Sequence, residues 1–98
     1  MLISQKMSAD ARFIRAIRLS TWRAFHNAYP FIDNTSTNTL ISASYELVTR
    51  SRQLYFQREF DASNATNQFA SQVIAELSLR GENTQDLQKR VINIRMLP

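Results

Sequence analysis

The stretch of residues 40–60, LISASYELVTRSRQLYFQREF, constrains the fold more than any other part of the chain. Leu40, Leu47 and Leu54 recur every seven residues, a spacing that places them on one face of an α-helix. Other faces carry arginines and aromatic residues, namely Arg50, Arg52, Arg58, Tyr45, Phe56 and Phe60. We therefore predict a long helix that packs along its leucine face and presents adhesive side chains elsewhere.

The rest of the chain also favours helix, because its 98 residues include one glycine and two prolines. A chain of this length forms one small domain. We predict an all-α fold in which a long helical hairpin and two shorter helices form a small helical bundle. The helices are expected over residues 9–28, 37–61, 65–80 and 84–95. Residues 91–94 are rich in β-branched side chains, so a short strand is the alternative there.

The first predicted helix has an apolar face and a basic face. Ser8 is its expected N-cap, and Tyr29-Pro30 is its expected end. The residues expected to pack on the leucine face of the second helix are Ile14, Ile17, Thr21 and Phe25. The opposite side carries Arg12, Arg15, Arg18 and Arg23. We expect these first two helices to form the hairpin, with the other two packed on it.

Positive charge is concentrated in the first part of the chain. Residues 1–58 carry a net charge of +5, and residues 59–98 carry −1. Ten of the twelve cations are arginines, which make bidentate contacts with carboxylates and phosphates better than lysines do. This composition fits an acidic protein partner as well as a nucleic acid.

The sequence argues against several classes of function. Without cysteine there is no thiolate metal site, and His26 alone provides no multi-histidine site. Gly81 alone forms no glycine-rich phosphate loop. No apolar run reaches the roughly 18 residues of a membrane span, and residues 1–13 lack the pattern of a secretory signal. We predict that the chain is not an enzyme, binds no cofactor and spans no membrane.

Apolar groups on two sides of a helix are usually buried on both sides. A chain of this length has little material to cover both sides of its second predicted helix. We therefore expect a protein partner in a larger assembly, and an oligomeric state. The residues predicted to form the partner interface are Arg12, Arg15, Leu19, Trp22, Arg23, Arg52, Phe56 and Arg58. The alternative is a small basic nucleic-acid-binding protein, such as a ribosomal or nucleoid accessory subunit, because arginines alternate with aromatics that stack on bases.

One family shows a similar pattern. Trp22-Arg23, Ile41, Leu47-Val48 and the stretch SRQLYFQR at residues 51–58 resemble the N-terminal helical region of tailed-phage MuF-like minor head proteins and capsid maturation proteases of actinobacteriophages. The resemblance covers residues 22–61. It implies a virion component that associates with portal or capsid protein; otherwise we expect a cytoplasmic protein. Family members continue into a further domain, so the chain is expected to be a piece of a longer protein or a short relative. No catalytic residue carries over.

Overall fold

A computed structural model describes residues 8–95, with side chains described as far as residue 91. Five α-helices follow one another: α1 (Ala9–Leu19), α2 (Trp22–Ala28), α3 (Thr37–Phe56), α4 (Phe60–Leu79) and α5 (Gln85–Arg95). A 3-10 turn (Tyr29–Phe31) follows α2. No residue between 8 and 95 lies in a β-strand. The fold is an all-α helical bundle, as predicted. Residues 91–94, for which a short strand was the alternative, lie in the helix α5.

The single helix predicted over residues 9–28 is wrong, because the chain breaks at Ser20. Ser20 has left-handed backbone angles (φ 50°, ψ 43°), and its hydroxyl donates to the carbonyl of Ile17 at 3.0 Å. Thr21 is extended and caps α2 by accepting the Ala24 N–H at 3.1 Å. Serine and threonine make such local bonds in competition with the helix, and here they stop one helix and start another.

The second predicted helix also ends earlier than expected, at Phe56 rather than at residue 61. Arg58 has a left-handed φ of 64°. Its N–H donates to the Tyr55 carbonyl, and the Glu59 N–H donates to the Leu54 carbonyl, which together form a Schellman motif. The third predicted helix, expected from residue 65, therefore begins at Phe60. At the end of α4, Gly81 (φ 85°) occupies the equivalent left-handed position.

The long hairpin consists of α3 and α4, and not of the first two predicted helices. These two helices share the most extensive contact in the bundle. At one end of the contact, the Ser51 hydroxyl donates to the Ser63 carbonyl at 2.9 Å, and the Ser63 hydroxyl donates to the Ser51 carbonyl at 2.7 Å. At the other end, Arg80 reaches Thr37. The two helices are therefore antiparallel.

The core lies between the hairpin and the shorter helices α1, α2 and α5 packed on it. Leu40 and Leu47 are fully buried, as their spacing predicted, whereas Leu54 is half-buried near the end of α3. Phe25 of α2 stacks on Phe69 of α4 with ring centres 4.6 Å apart, and Phe13 of α1 lies 5.4 Å from the same ring. The first part of the chain therefore packs on α4 as well as on α3.

The packing face predicted for the first helix is correct in part. Ile17 and Phe25 are buried, whereas Ile14 and Thr21 are exposed. Thr21 is exposed because it belongs to the break and serves as the N-cap of α2. Ser8 caps α1 as predicted, by accepting the Ala11 N–H at 3.1 Å.

Two polar clusters join elements that are distant in sequence. The carboxylate of Asp10 accepts the N–H of Ser36 at 3.0 Å and the hydroxyls of Ser36 and Thr39, each at 2.9 Å. These hydrogen bonds, led by the Ser36 N–H, hold the pKa of Asp10 below its ordinary value. The cluster fixes the start of α1 against the start of α3.

The second cluster surrounds Arg80 at the end of α4. Its guanidinium donates to the carbonyls of three loop residues and to the hydroxyl of Thr37, in addition to its ion pair with Glu76. The three carbonyls belong to Ile32, Asp33 and Thr35, at 3.1, 3.2 and 2.8 Å. The side chain of Arg80 thus holds the loop before α3.

Candidate interface at the hairpin tip and the α1–α2 groove

The end of the α3–α4 hairpin, residues 52–61, is here called the hairpin tip. It extends past the last buried pair of the hairpin, Ser51 and Ser63. Phe56 and Phe60 remain 62% and 55% exposed although both are large apolar side chains. The ring of Tyr55 packs edge-on against both, with ring centres 5.8 Å from Phe56 and 5.3 Å from Phe60. The three rings form an apolar cluster in which both phenylalanines remain exposed to solvent.

Charged groups surround this aromatic cluster. The guanidinium carbon of Arg52 lies 5.7 Å from the centre of the Phe56 ring, and Arg58 is exposed in the turn. Neither arginine has an ion-pair partner within residues 8–91. Glu59 and Asp61 are exposed in the same tip. The tip therefore combines apolar area with charges of both signs, which is typical of a protein-binding surface.

A second feature, here called the α1–α2 groove, lies between those two helices and the 3-10 turn. Three of the predicted interface residues line it, namely Arg12, Arg15 and Leu19. The remaining lining residues are Ala16, Ala24, Asn27, Ala28 and Phe31. The groove has a volume of about 260 Å³. The guanidinium carbon of Arg12 lies 4.8 Å from the centre of the Phe31 ring, so an aromatic face orients this cation.

Trp22 belongs to another place on the surface. It is half-exposed and lines a shallow groove between α2 and α4 together with Tyr29 and Gln68. His26 lines the same groove and is exposed. Arg23 is exposed on α2. All eight predicted interface residues are thus exposed, but they are divided among the tip, the α1–α2 groove and the exposed surface of α2.

Some exposed apolar residues were not among the predicted interface residues. Phe60 follows the turn directly and completes the cluster of Phe56, which the sequence would have indicated had the turn been placed there. Leu79 is 84% exposed and lines a groove of about 610 Å³ between α4 and α5, with Ile74 and Val91. Leu79 falls outside the apolar stripe of α4, and this position in the sequence could have indicated that its side chain is exposed.

Within the described residues, no three His, Cys, Asp or Glu side chains lie close enough together to hold a metal ion. None of the helices described is both long and apolar enough to cross a membrane. No protein-family model matches the chain, and neither a curated protein nor a solved structure matches it.

Proposed function

We propose that this protein is a non-enzymatic structural component that docks onto a larger assembly through the hairpin tip and the arginine-bearing face of α1. The supporting observation is the exposure of Phe56 and Phe60 on an ordered tip outside the core. A phenylalanine side chain of roughly 200 Å² that buries its remaining half contributes about 2.5 kcal/mol at about 25 cal/mol per Å². The two rings would thus supply about 5 kcal/mol of apolar association energy, before the costs of association.

The most concrete form of this proposal is a minor protein of a tailed-phage head, associated with portal or capsid protein. The resemblance of residues 51–58 to the MuF-like family supports it, since these residues form the last turn of α3 and the turn of the tip. In this form the protein resides in the virion and is present in several copies. The residues expected to contact the neighbour include Arg52, Phe56 and Arg58.

Nucleic-acid binding is the second candidate, favoured by arginines and aromatic rings side by side in the tip. Two observations favour protein over nucleic acid. Glu59 and Asp61 are exposed in the same tip and would repel phosphates. Tyr55 lies nearly perpendicular to the rings of Phe56 and Phe60 and packs against both, so the three rings contact one another instead of forming a row of parallel faces on which bases would stack.

The test uses the full chain, purified with its associated proteins from its native source. We expect the amount of partner that copurifies, identified by mass spectrometry, to be at least ten-fold lower for the double variant Phe56→Ser/Phe60→Ser than for the parent. The matched control is Leu79→Ser, which removes an exposed apolar side chain far from the tip. Equal losses in the two variants, or none in the double variant, would contradict the proposed site.

A second measurement separates protein from nucleic acid. Fluorescence anisotropy with labelled 20-nucleotide single-stranded and duplex DNA is measured at 50 and 200 mM NaCl. We expect weak binding under both conditions. A protein that contacts 6–10 phosphates loses roughly 10³–10⁵-fold in affinity over this range. Tight binding with that salt dependence would replace the first proposal by the second.

A further inference from the structure

Building on the proposed function, we infer that the α1–α2 groove is the anchor site for an acidic segment of the protein partner, and that it takes one apolar side chain together with a neighbouring carboxylate. The first argument is the size of the groove. Its volume of about 260 Å³ is below the roughly 300–1,000 Å³ of small-molecule sites. Three of its eight lining residues are the buried alanines at 16, 24 and 28, whose short side chains leave the depression open. It has room for a single side chain of a partner.

The second argument is charge. Residues 11–33, which include every residue that lines the groove, contain four arginines and one carboxylate, that of Asp33. Asp10, the acidic residue next to this stretch, points its carboxylate at Ser36 and Thr39, where three hydrogen bonds occupy it. The local charge is therefore positive, and the complementary partner is anionic.

The third argument is orientation. The ring of Phe31 holds the guanidinium of Arg12 at the edge of the groove, at 4.8 Å from the ring centre. A guanidinium fixed in this way binds a carboxylate with less loss of side-chain freedom than a free arginine does. Arg15 and Leu19 line the same groove one and two turns along α1. A partner segment with an acidic residue beside a leucine-sized residue satisfies both the cationic edge and the apolar lining.

The lining also disfavours a nucleic acid in this groove. Base recognition on single strands depends on stacking against aromatic or guanidinium planes. The aromatic ring in the lining is that of Phe31, and the guanidinium of Arg12 already lies over it. Phosphates alone would therefore be attracted equally to any arginine of α1, including Arg18, which does not line the groove. That difference between Arg12 and Arg18 makes the inference testable.

The probe is a capped heptapeptide, Gly-Ser-Asp-Leu-Glu-Ser-Gly, titrated into the ¹⁵N-labelled full chain and followed by amide chemical shifts. We expect the largest shifts at Ala24, Asn27 and Ala28. The control peptide with Asn and Gln in place of Asp and Glu should bind at least ten-fold more weakly. The double variant Arg12→Gln/Arg15→Gln should weaken binding of the acidic peptide at least ten-fold, whereas Arg18→Gln should change it less than two-fold.

Ala24→Leu fills the groove without changing its charge and should abolish the shifts; circular dichroism establishes that each variant is folded. The inference is overturned if 5 mM peptide shifts no groove amide, if Arg18→Gln weakens binding as much as the double variant, or if an octathymidine binds there more tightly than the peptide. Should Arg12→Gln/Arg15→Gln retain the native partner while Phe56→Ser/Phe60→Ser loses it, the groove inference fails and docking through the hairpin tip stands.

Discussion

Arg80→Ala should destabilise the domain much more than Arg90→Ala, although each arginine makes an ion pair with a carboxylate four residues earlier. The Arg80–Glu76 pair is 2.8 Å long with both side chains 21% exposed, and the Arg90–Asp86 pair is 3.1 Å long with side chains 51% and 60% exposed. The decisive difference is that Arg80 also makes four hydrogen bonds to residues 32–37. These bonds connect the end of α4 to the loop before α3.

The expected size follows from these four bonds. A net hydrogen bond contributes about 0.5–1.5 kcal/mol, and more when one partner is charged. Because Arg80 is one-fifth exposed, water will satisfy part of the loop carbonyls in the variant. We therefore expect a loss of about 2–4 kcal/mol for Arg80→Ala, near the top of the usual range for point mutations. An exposed i,i+4 pair contributes only about 0.3–0.5 kcal/mol, which is the loss expected for Arg90→Ala.

The assay is urea denaturation of both variants and the parent, followed by far-ultraviolet circular dichroism, with equal m-values as a check on two-state unfolding. Arg80→Lys should fall between parent and alanine variant, because an ammonium keeps the charge but not the forked geometry. If Arg80→Ala and Arg90→Ala agree within about 0.5 kcal/mol, the loop bonds are neutral relative to hydration and the reasoning is refuted.

Three further changes test other features. Asp10→Asn should lower the urea midpoint at neutral pH, because the carboxylate of Asp10 stabilises the fold while it is ionised. The difference from the parent should vanish as the pH falls through the lowered pKa of Asp10. A difference that persists unchanged at pH 2 argues against this. The double variant Ser51→Ala/Ser63→Ala should lower the free energy of unfolding, measured with heat or urea, by about 1–3 kcal/mol, since two buried hydrogen bonds disappear. The control is Ser42→Ala at an exposed position. Equal stability of the two variants would refute this prediction. Arg58→Gly should raise stability by about 0.5–1 kcal/mol, because glycine adopts the left-handed φ of this position without strain; lower stability would show that the Arg58 side chain supports the turn.

The helical class and the buried leucines follow directly from the sequence. Leu40 and Leu47 occupy one face of a helix whatever lies opposite, so their burial depends only on their spacing. The choice of helix opposite them was not predictable in this way. A leucine face does not specify its partner, and α4 was given too late a start for its full length to be recognised.

The breaks in the helices were harder to predict, because they depend on local hydrogen bonds at residues that are also compatible with helix. Ser20 and Thr21 contain no proline or glycine signal, and the turn at Arg58 places a non-glycine residue in a left-handed conformation. Both positions depend on the tertiary structure to hold them. Once those breaks are known, the exposure of Leu19 beside the first and of Phe60 beside the second follows.

The candidate interface was predictable in composition and not in arrangement. Each of the eight predicted residues is exposed, since arginines and off-stripe apolar residues avoid the core faces of their helices. Their division into separate surfaces arises from the break at Ser20, which turns α2 back and closes the groove around Arg12. Only the three-dimensional structure contains that information.

The position of the tip beyond Ser51 and Ser63 has a consequence for how this protein can change over time. Substitutions at Phe56 or Phe60 alter a surface that contributes little to the core, so they should be tolerated by the fold. Partner choice can then diverge rapidly between related proteins while the bundle stays the same. We expect the amide protons of this tip to exchange with solvent before those of the hairpin interior.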